Sequence, residues 1–298
     1  MSLVTNAGTS LSNSFVTMFS DDVKQAYQQM TSKLVDSVRV VRNVTGSTYK
    51  FHKLSKGGTI KNKARFEDLT AMSDTDKSGL AAPGAYTGGT AQNSIVTVTL
   101  NNFHSAEYID DLDMFKTNID LRSTFAQSIA GALARAVDQE LIDAFDASTP
   151  TTIKTTAQGA NGLNKAALLE VHQALNALDV PTNDRVLLIS PAALTDLLTD
   201  TTLVAAADGQ LSNIALATGY IPSIFGFRIV ISNLLSADSV VRKCYAFQKE
   251  SIGLALAQDI TTRIDYVPQK ASSIVLGTMS GGSGVIDADG VVEIQVTE

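Results

Sequence analysis

The sequence predicts an α+β protein organised around one long helix, and three observations predict it. From Asp120 to Ala147, Leu121, Phe125, Ile129, Leu133, Val137, Leu141 and Phe145 recur every four residues with alanines between them. Between 163 and 232, helical periodicity alternates with short, continuously apolar runs. Such alternation marks an α/β body whose sheet is covered on both faces. Residues 44–100 begin and end strand-like around a polar, glycine-punctuated middle. A featureless loop of that length is unusual in a compact domain, so a long two-stranded excursion is expected.

Composition fits this reading. The chain has 298 residues, 44% of them hydrophobic and 18% charged, enough for one large domain or two ordinary ones. The net charge of −7 is unevenly spread. Residues 24–65 carry ten basic side chains (Lys24, Lys33, Arg39, Arg42, Lys50, Lys53, Lys56, Lys61, Lys63 and Arg65) and one acid, Asp36. That segment is a solvated basic face or an arm that docks on the acidic body of a neighbouring copy. Nucleic-acid binding ranks third, because few aromatics stand among the basic residues. The single cysteine, Cys244, excludes an internal disulfide framework and reads as a buried thiol in a strand. The first residues lack a signal-peptide pattern, and no run of eighteen apolar residues occurs.

Taken in order, residues 1–20 are half Ser, Thr or Asn and read as an arm with little to bury. Residues 21–37 read as an amphipathic helix started by Asp21 and Asp22, with Val23, Ala26, Tyr27, Met30, Leu34 and Val35 on its apolar face. Tyr49 and Phe51 alternate with Lys50 and His52 as in a strand, and Ser94–Leu100 is β-branched. A two-stranded hairpin is barely stable alone, so it lies on something, and self-association is expected. After the strand-like Asn102–Asp110 comes the long helix, about 39 Å at 1.5 Å per residue. A four-residue repeat drifts by about 40° per step, so this helix needs cover on several sides. Ser148, Thr149 and Pro150 end it.

Residues 151–162 read as a Thr/Gly/Ala-rich link. A helix follows at 163–178, then strand 186–190, a helix opened by Ser190-Pro191, and strands at 227–232 and 244–248. Residues 261–298 are strand-rich, with a Gly/Ser break at 280–284 and an Asp-Gly turn at Asp289-Gly290. No phosphate loop, dinucleotide fingerprint or nucleophile elbow is present. His52, His104 and His172 lack ligand spacing, and Asp287-Ala288-Asp289-Gly290 lacks the later ligands of a calcium loop. Asp138, Glu140 and Asp143 read as solvated or paired rather than catalytic. No catalytic residue, metal site or cofactor is expected.

In this order, the segments GALARAVDQELIDAF, RVLLISPAALTDLL, IPSIFGFRIVISNLL and GVIDADGVVEIQV resemble the major capsid proteins of tailed bacteriophages, which share the Hong Kong 97-type fold. The resemblance covers nearly the whole chain. It implies an N-terminal arm and helix at 1–43 and an extended loop at 44–100. It implies a peripheral domain at 101–159 and 251–298, containing the spine helix 120–147, and an axial domain at 160–250. Lys50, Lys53, Lys56, Lys61, Lys63 and Arg65 would contact a neighbouring subunit. Leu121, Phe125, Ile129, Leu133, Val137, Leu141 and Phe145 would pack the spine. The function implied is a shell of pentamers and hexamers around double-stranded DNA, located in the virion capsid and assembled in the host cytoplasm. The partners implied are other copies of the chain, a separate scaffolding protein, a portal, and DNA held non-specifically on the inner surface, with no membrane. The scaffold is expected because the chain begins almost directly at the arm. Some relatives cross-link a loop lysine to a neighbour's asparagine, and no such bond is predicted here. An encapsulin-type compartment shell is the alternative, ahead of a soluble α/β enzyme.

Overall fold

The computed structural model describes residues 28–53, 94–112, 121–155, 162–200, 221, 223–238 and 241–297. The arm at 1–20, the first turns of the expected helix at 21–27, the hairpin tip and residues 201–220 lie outside the described residues.

Thirteen described strands form three sheets. The first holds β1 (Arg39–Arg42), β11 (Ile252–Val267), β12 (Ser272–Val285) and β4 (Asn101–Asp110), in that order. β1 runs parallel to β11, with Arg39 opposite Gly253 and Arg42 opposite Leu256; the other pairs are antiparallel. The second sheet runs β5 (Thr151–Lys154), β13 (Val291–Thr297), β10 (Val241–Gln248), β6 (Arg185–Ile189), β8 (Phe227–Ile231) and β7 (Ser223–Ile224), with β9 (Ala237–Asp238) beside β10. The third is the hairpin pair β2 (Thr48–Lys53) and β3 (Ser94–Thr99), in register from Thr48 opposite Thr99 to Lys53 opposite Ser94. Three α-helices are described: α1 (Leu121–Ala147), α2 (Lys165–Ala177) and α3 (Pro191–Thr199).

α1 is the centre of the molecule. Along its repeat, Leu121 and Phe125 are partly buried, while Ile129, Leu133, Val137, Leu141 and Phe145 are buried. One side lies on the four-stranded sheet. A Cβ on Gly277 would come within 2.3 Å of the Ile129 side chain and 2.9 Å of Leu133, so only glycine lets the helix sit this low. Its C-terminal end reaches the second sheet, where Phe145 stacks on Tyr245 with centroids 5.0 Å apart and meets Phe247 at 4.8 Å. The Ser148 hydroxyl and amide both donate to the Phe145 carbonyl and end the helix.

The α/β body follows its sequence signals closely. Asn164 caps α2 through the Ala167 amide, and Ser190 caps α3 through the Ala193 amide, with Pro191 in the first turn. β6 is buried throughout, as a central strand between helices should be.

Several expectations are corrected. Residues 28–34 are not helical, and only Val35–Ser37 forms a 3-10 turn. The link at 151–162 contains β5, which pairs in parallel with β13. Within 251–298, residues 252–285 build the four-stranded sheet, while β13 pairs with β10 in the seven-stranded one. The Gly/Ser run at 280–284 is no break, because β12 passes through it unbroken. The Asp-Gly turn is a 3-10 turn at Ala288–Gly290, with the Asp287 side chain accepting from the Asp289 amide.

Candidate functional site

Two structures, the hairpin base and the arm anchor, place the chain's extended segments on its body. β2 and β3 lie across one end of the four-stranded sheet. In β12 the odd positions Val275, Gly277, Met279 and Ser283 face α1, with the Ser283 hydroxyl donating to the Glu140 carbonyl at 2.7 Å. The even positions Gly282 and Gly284 face the hairpin, as the two-residue period of a strand requires. A Cβ on Gly282 would stand 2.1 Å from the Thr99 carbonyl oxygen, and one on Gly284 2.8 Å from Val98. On β11, Gly253 lies beneath the Phe51 ring, where a Cβ would approach within 2.5 Å. The glycines that read as a break are therefore a floor that lets a second layer approach at backbone distance.

Phe51 and Val98, both 3% exposed, fill this contact with Ala255 and Ile286. Tyr49 meets Phe51 edge to face at 4.8 Å, and the Leu100 amide donates to the Ser47 carbonyl to close the base. The Lys53 Nζ pairs with Asp287 at 2.6 Å. Arg42 pairs with Asp259 at 2.6 Å and Arg39 with Glu250 at 3.8 Å. Lys33 donates to the Ile231 carbonyl.

Four basic residues of the 24–65 segment thus spend their charge inside their own subunit. Of the expected subunit contacts, Lys53 makes an intrachain pair with Asp287 and Lys50 is exposed on β2. Lys56, Lys61, Lys63 and Arg65 lie outside the described residues.

The arm anchor is a single carboxylate. Asp138 is 1% exposed and accepts from the Gln29 amide and the Ser32 hydroxyl, both at 2.5 Å, and from the backbone amides of Lys33 and Leu34 at 3.0 and 3.3 Å. One turn earlier, Arg135 donates to the Gln29 carbonyl and the Gln28 side chain. One turn earlier again, Gly131 leaves room, since a Cβ there would lie 3.3 Å from the Gln29 carbonyl oxygen. Gly131, Arg135 and Asp138 share one helical face. This explains the missing helix at 28–34, because Asp138 takes amides that a helix would have turned inward. Of the two states expected for Asp138, solvated or paired, it is the paired one, and it is buried.

Two further acids of α1 behave differently. Burial, reinforced by nearby Asp143, raises the Glu140 carboxyl above the ordinary range, while the Asn101 amide partly opposes this. Asp146 accepts from the Tyr245 and Ser236 hydroxyls beside Lys243. Burial first, then the Asp146 carboxylate, pushes the Tyr245 phenol far above its usual range. These contacts tie both ends of the spine's second half to neighbouring layers.

Among the described residues, no three His, Cys, Asp or Glu side chains gather into a metal-ligand set, and no helix is long and apolar enough to cross a membrane.

A central helix between two sheets, a hairpin clamped across one of them, and an arm strapped to the helix define the Hong Kong 97-type fold. The chain belongs to the phage capsid protein family, whose model matches residues 11–298. As a member of that family it is a structural protein of the phage capsid. No curated protein matches the sequence. Solved structures share the fold. The capsid of cyanophage P-SCSP1u matches with a TM-score of 0.76 at 21% identity, covering 99% of this chain and 97% of the other. The capsid of a native GTA particle gives 0.73 at 14% identity, with all of both chains covered. A virus-like particle from Pyrococcus furiosus gives 0.55 at 13% identity over 88% of this chain and 91% of the other.

Proposed function

We propose that this chain assembles through pentamers and hexamers into a shell that closes around double-stranded DNA in the host cytoplasm. A separate scaffolding protein guides closure and a portal occupies one vertex. The chain carries no catalytic step of its own. Its labour divides among the N-terminal arm, the extended loop, the peripheral domain with the spine helix, and the axial domain.

The observation that carries the reading is the far half of β11. β1 covers β11 only as far as Leu256. Beyond that point, no described strand pairs with this side of β11, and Ile260, Ile264 and Tyr266 are exposed there. A long exposed edge with apolar side chains is a liability in a monomer and an asset in a protein that meets further copies of itself. Lys50, Lys53, Lys56, Lys61, Lys63 and Arg65 then contact the acidic surface of a neighbouring copy. The chain outside 24–65 is net acidic, and an acidic inner wall lets DNA slide during packaging, since basic contacts to phosphate dominate affinity.

Negative-stain electron microscopy with light scattering tests this. Purified protein, supplied with its scaffold, is expected to give closed shells or five- and six-membered rings. A monomer or dimer persisting at high concentration contradicts assembly. Nucleic acid inside the particles supports the virion reading, whereas an enzyme cargo supports an encapsulin-type compartment.

A further inference from the structure

Residues 28–34 hold a conflict between sequence and structure. Met30, Leu34 and Val35 continue an apolar spacing begun at Val23, Ala26 and Tyr27, and Asp21 and Asp22 suit the start of a helix. The structure instead lays residues 28–34 over α1 as a non-helical strap, which ends in the 3-10 turn Val35–Ser37.

A helix here would join the amides of Lys33, Leu34 and Val35 to the carbonyls of Gln29, Met30 and Thr31. Five of these six groups have other partners. Asp138 accepts from the Lys33 and Leu34 amides at 3.0 and 3.3 Å. Arg135 donates to the Gln29 carbonyl at 2.8 Å, so two residues one turn apart on α1 take both ends of a single helical bond. The Val35 amide donates to the Ser32 hydroxyl at 3.2 Å, and the Gln29 side chain donates to the Thr31 carbonyl at 2.9 Å. Gln29 and Ser32 in turn donate to Asp138 at 2.5 Å. Every diverted bond thus runs, directly or through one side chain, to Asp138 or Arg135. Helix formation is limited by its first turn. The Val35–Ser37 turn, where the Ser37 amide donates to the Leu34 carbonyl at 2.8 Å, already supplies one.

We propose that residues 28–37 are a two-state switch, a strap while Asp138 and Arg135 hold them and an α-helix once released. The helix grows back from the Val35–Ser37 turn, and Val38, 2% exposed, with β1 beyond it marks the fixed end. A helical residue advances 1.5 Å and an extended one about 3.3 Å, so release draws the chain before Gln28 towards the body. The switch is a property of the single subunit. Its use, giving the arm two lengths for non-identical positions in a shell, rests on the assembly proposed above, and the test does not involve assembly.

The test is nuclear magnetic resonance of the full chain, with carbon-13 in the methionine carbonyls and nitrogen-15 in the threonine amides. Met30-Thr31 is the one Met-Thr pair in the sequence, so a carbonyl–amide correlation spectrum holds a single signal, from the strap. The wild type is expected at a non-helical carbonyl shift, and Arg135→Ala/Asp138→Ala downfield of it, in the helical range. Alanine is the strongest helix former, so both substitutions suit α1. Faster hydrogen exchange at 29–37 would follow from fraying alone, so the shift decides. Adding Ser32→Pro to the released variant should return the signal to the unstructured position, because proline breaks a helix interior. Asp138→Asn, isosteric with one acceptor oxygen left, should move the signal part of the way and serves if the double variant does not fold. A released strap whose signal sits at the unstructured position, or has not moved from the wild type, overturns the proposal.

Discussion

The two large sheets of this capsid protein are held by opposite means. The seven-stranded sheet is filled: Val186, Leu187, Leu188 and Ile189 along β6 and Cys244 to Phe247 along β10 are all at most 2% exposed. The four-stranded sheet is pared down where other layers meet it, with Gly253, Gly282 and Gly284 under the hairpin and Gly277 under α1. Large side chains fix the first sheet by burying area. Missing side chains let other elements approach the second, and single polar ties such as Lys53–Asp287 and Asp138 with the arm hold them there. Burial makes a rigid body, whereas close approach with point ties makes attachments that can be repositioned. A subunit that fills non-identical positions in one shell needs both.

This contrast can be tested by breaking each side of it. Leu187→Ala leaves a cavity in the filled sheet and should cost about 2–5 kcal/mol, read from urea denaturation. Asp138→Ala strands the amides and side chains of residues 29–34 and should cost about 1–3 kcal/mol. Its hydrogen exchange should accelerate at 29–37 while β6 and β10 stay protected. If protection were lost throughout, the arm would be part of the core rather than an attachment.

Lys53→Met removes a half-exposed ion pair, so the loss should stay below about 1 kcal/mol and shrink with added salt. Glu140→Gln should act in the reverse direction. Burial raises the native carboxyl above its ordinary range, so the charged form is penalised in the folded state at neutral pH. Glutamine removes that penalty and should raise the melting temperature slightly at pH 7. The advantage should fade as the pH falls below the ordinary carboxylate range, where glutamate is neutral in both states.

The filled part of the molecule was legible in sequence. The four-residue repeat located α1, Ser190-Pro191 located the start of α3, and continuous apolar runs located β6 and β8. These signals are local, and local periodicity reports which face is buried. The pared-down part was misread because its signals are relational. Glycine at 280–284 punctuates a chain when read alone and paves a contact when Thr99 and Val98 lie above it. The helix expected at 21–37 had the right apolar spacing, but Asp138, more than a hundred residues away, withdraws its amides. The composition of the basic segment does not show that Glu250, Asp259 and Asp287 neutralise part of it, because those acids lie some two hundred residues away. The short β1 and β5 are edge strands too brief to show alternation.

The most direct measurement is the assembly of Gly282→Ala, followed by electron microscopy and light scattering, with circular dichroism as the check on folding. One added methyl would press on the Thr99 carbonyl and lift the hairpin base from its floor. Folded subunits with a normal spectrum that no longer close into shells are predicted. Shells of wild-type size and yield would show that the hairpin does not depend on its glycine floor, contradicting the account.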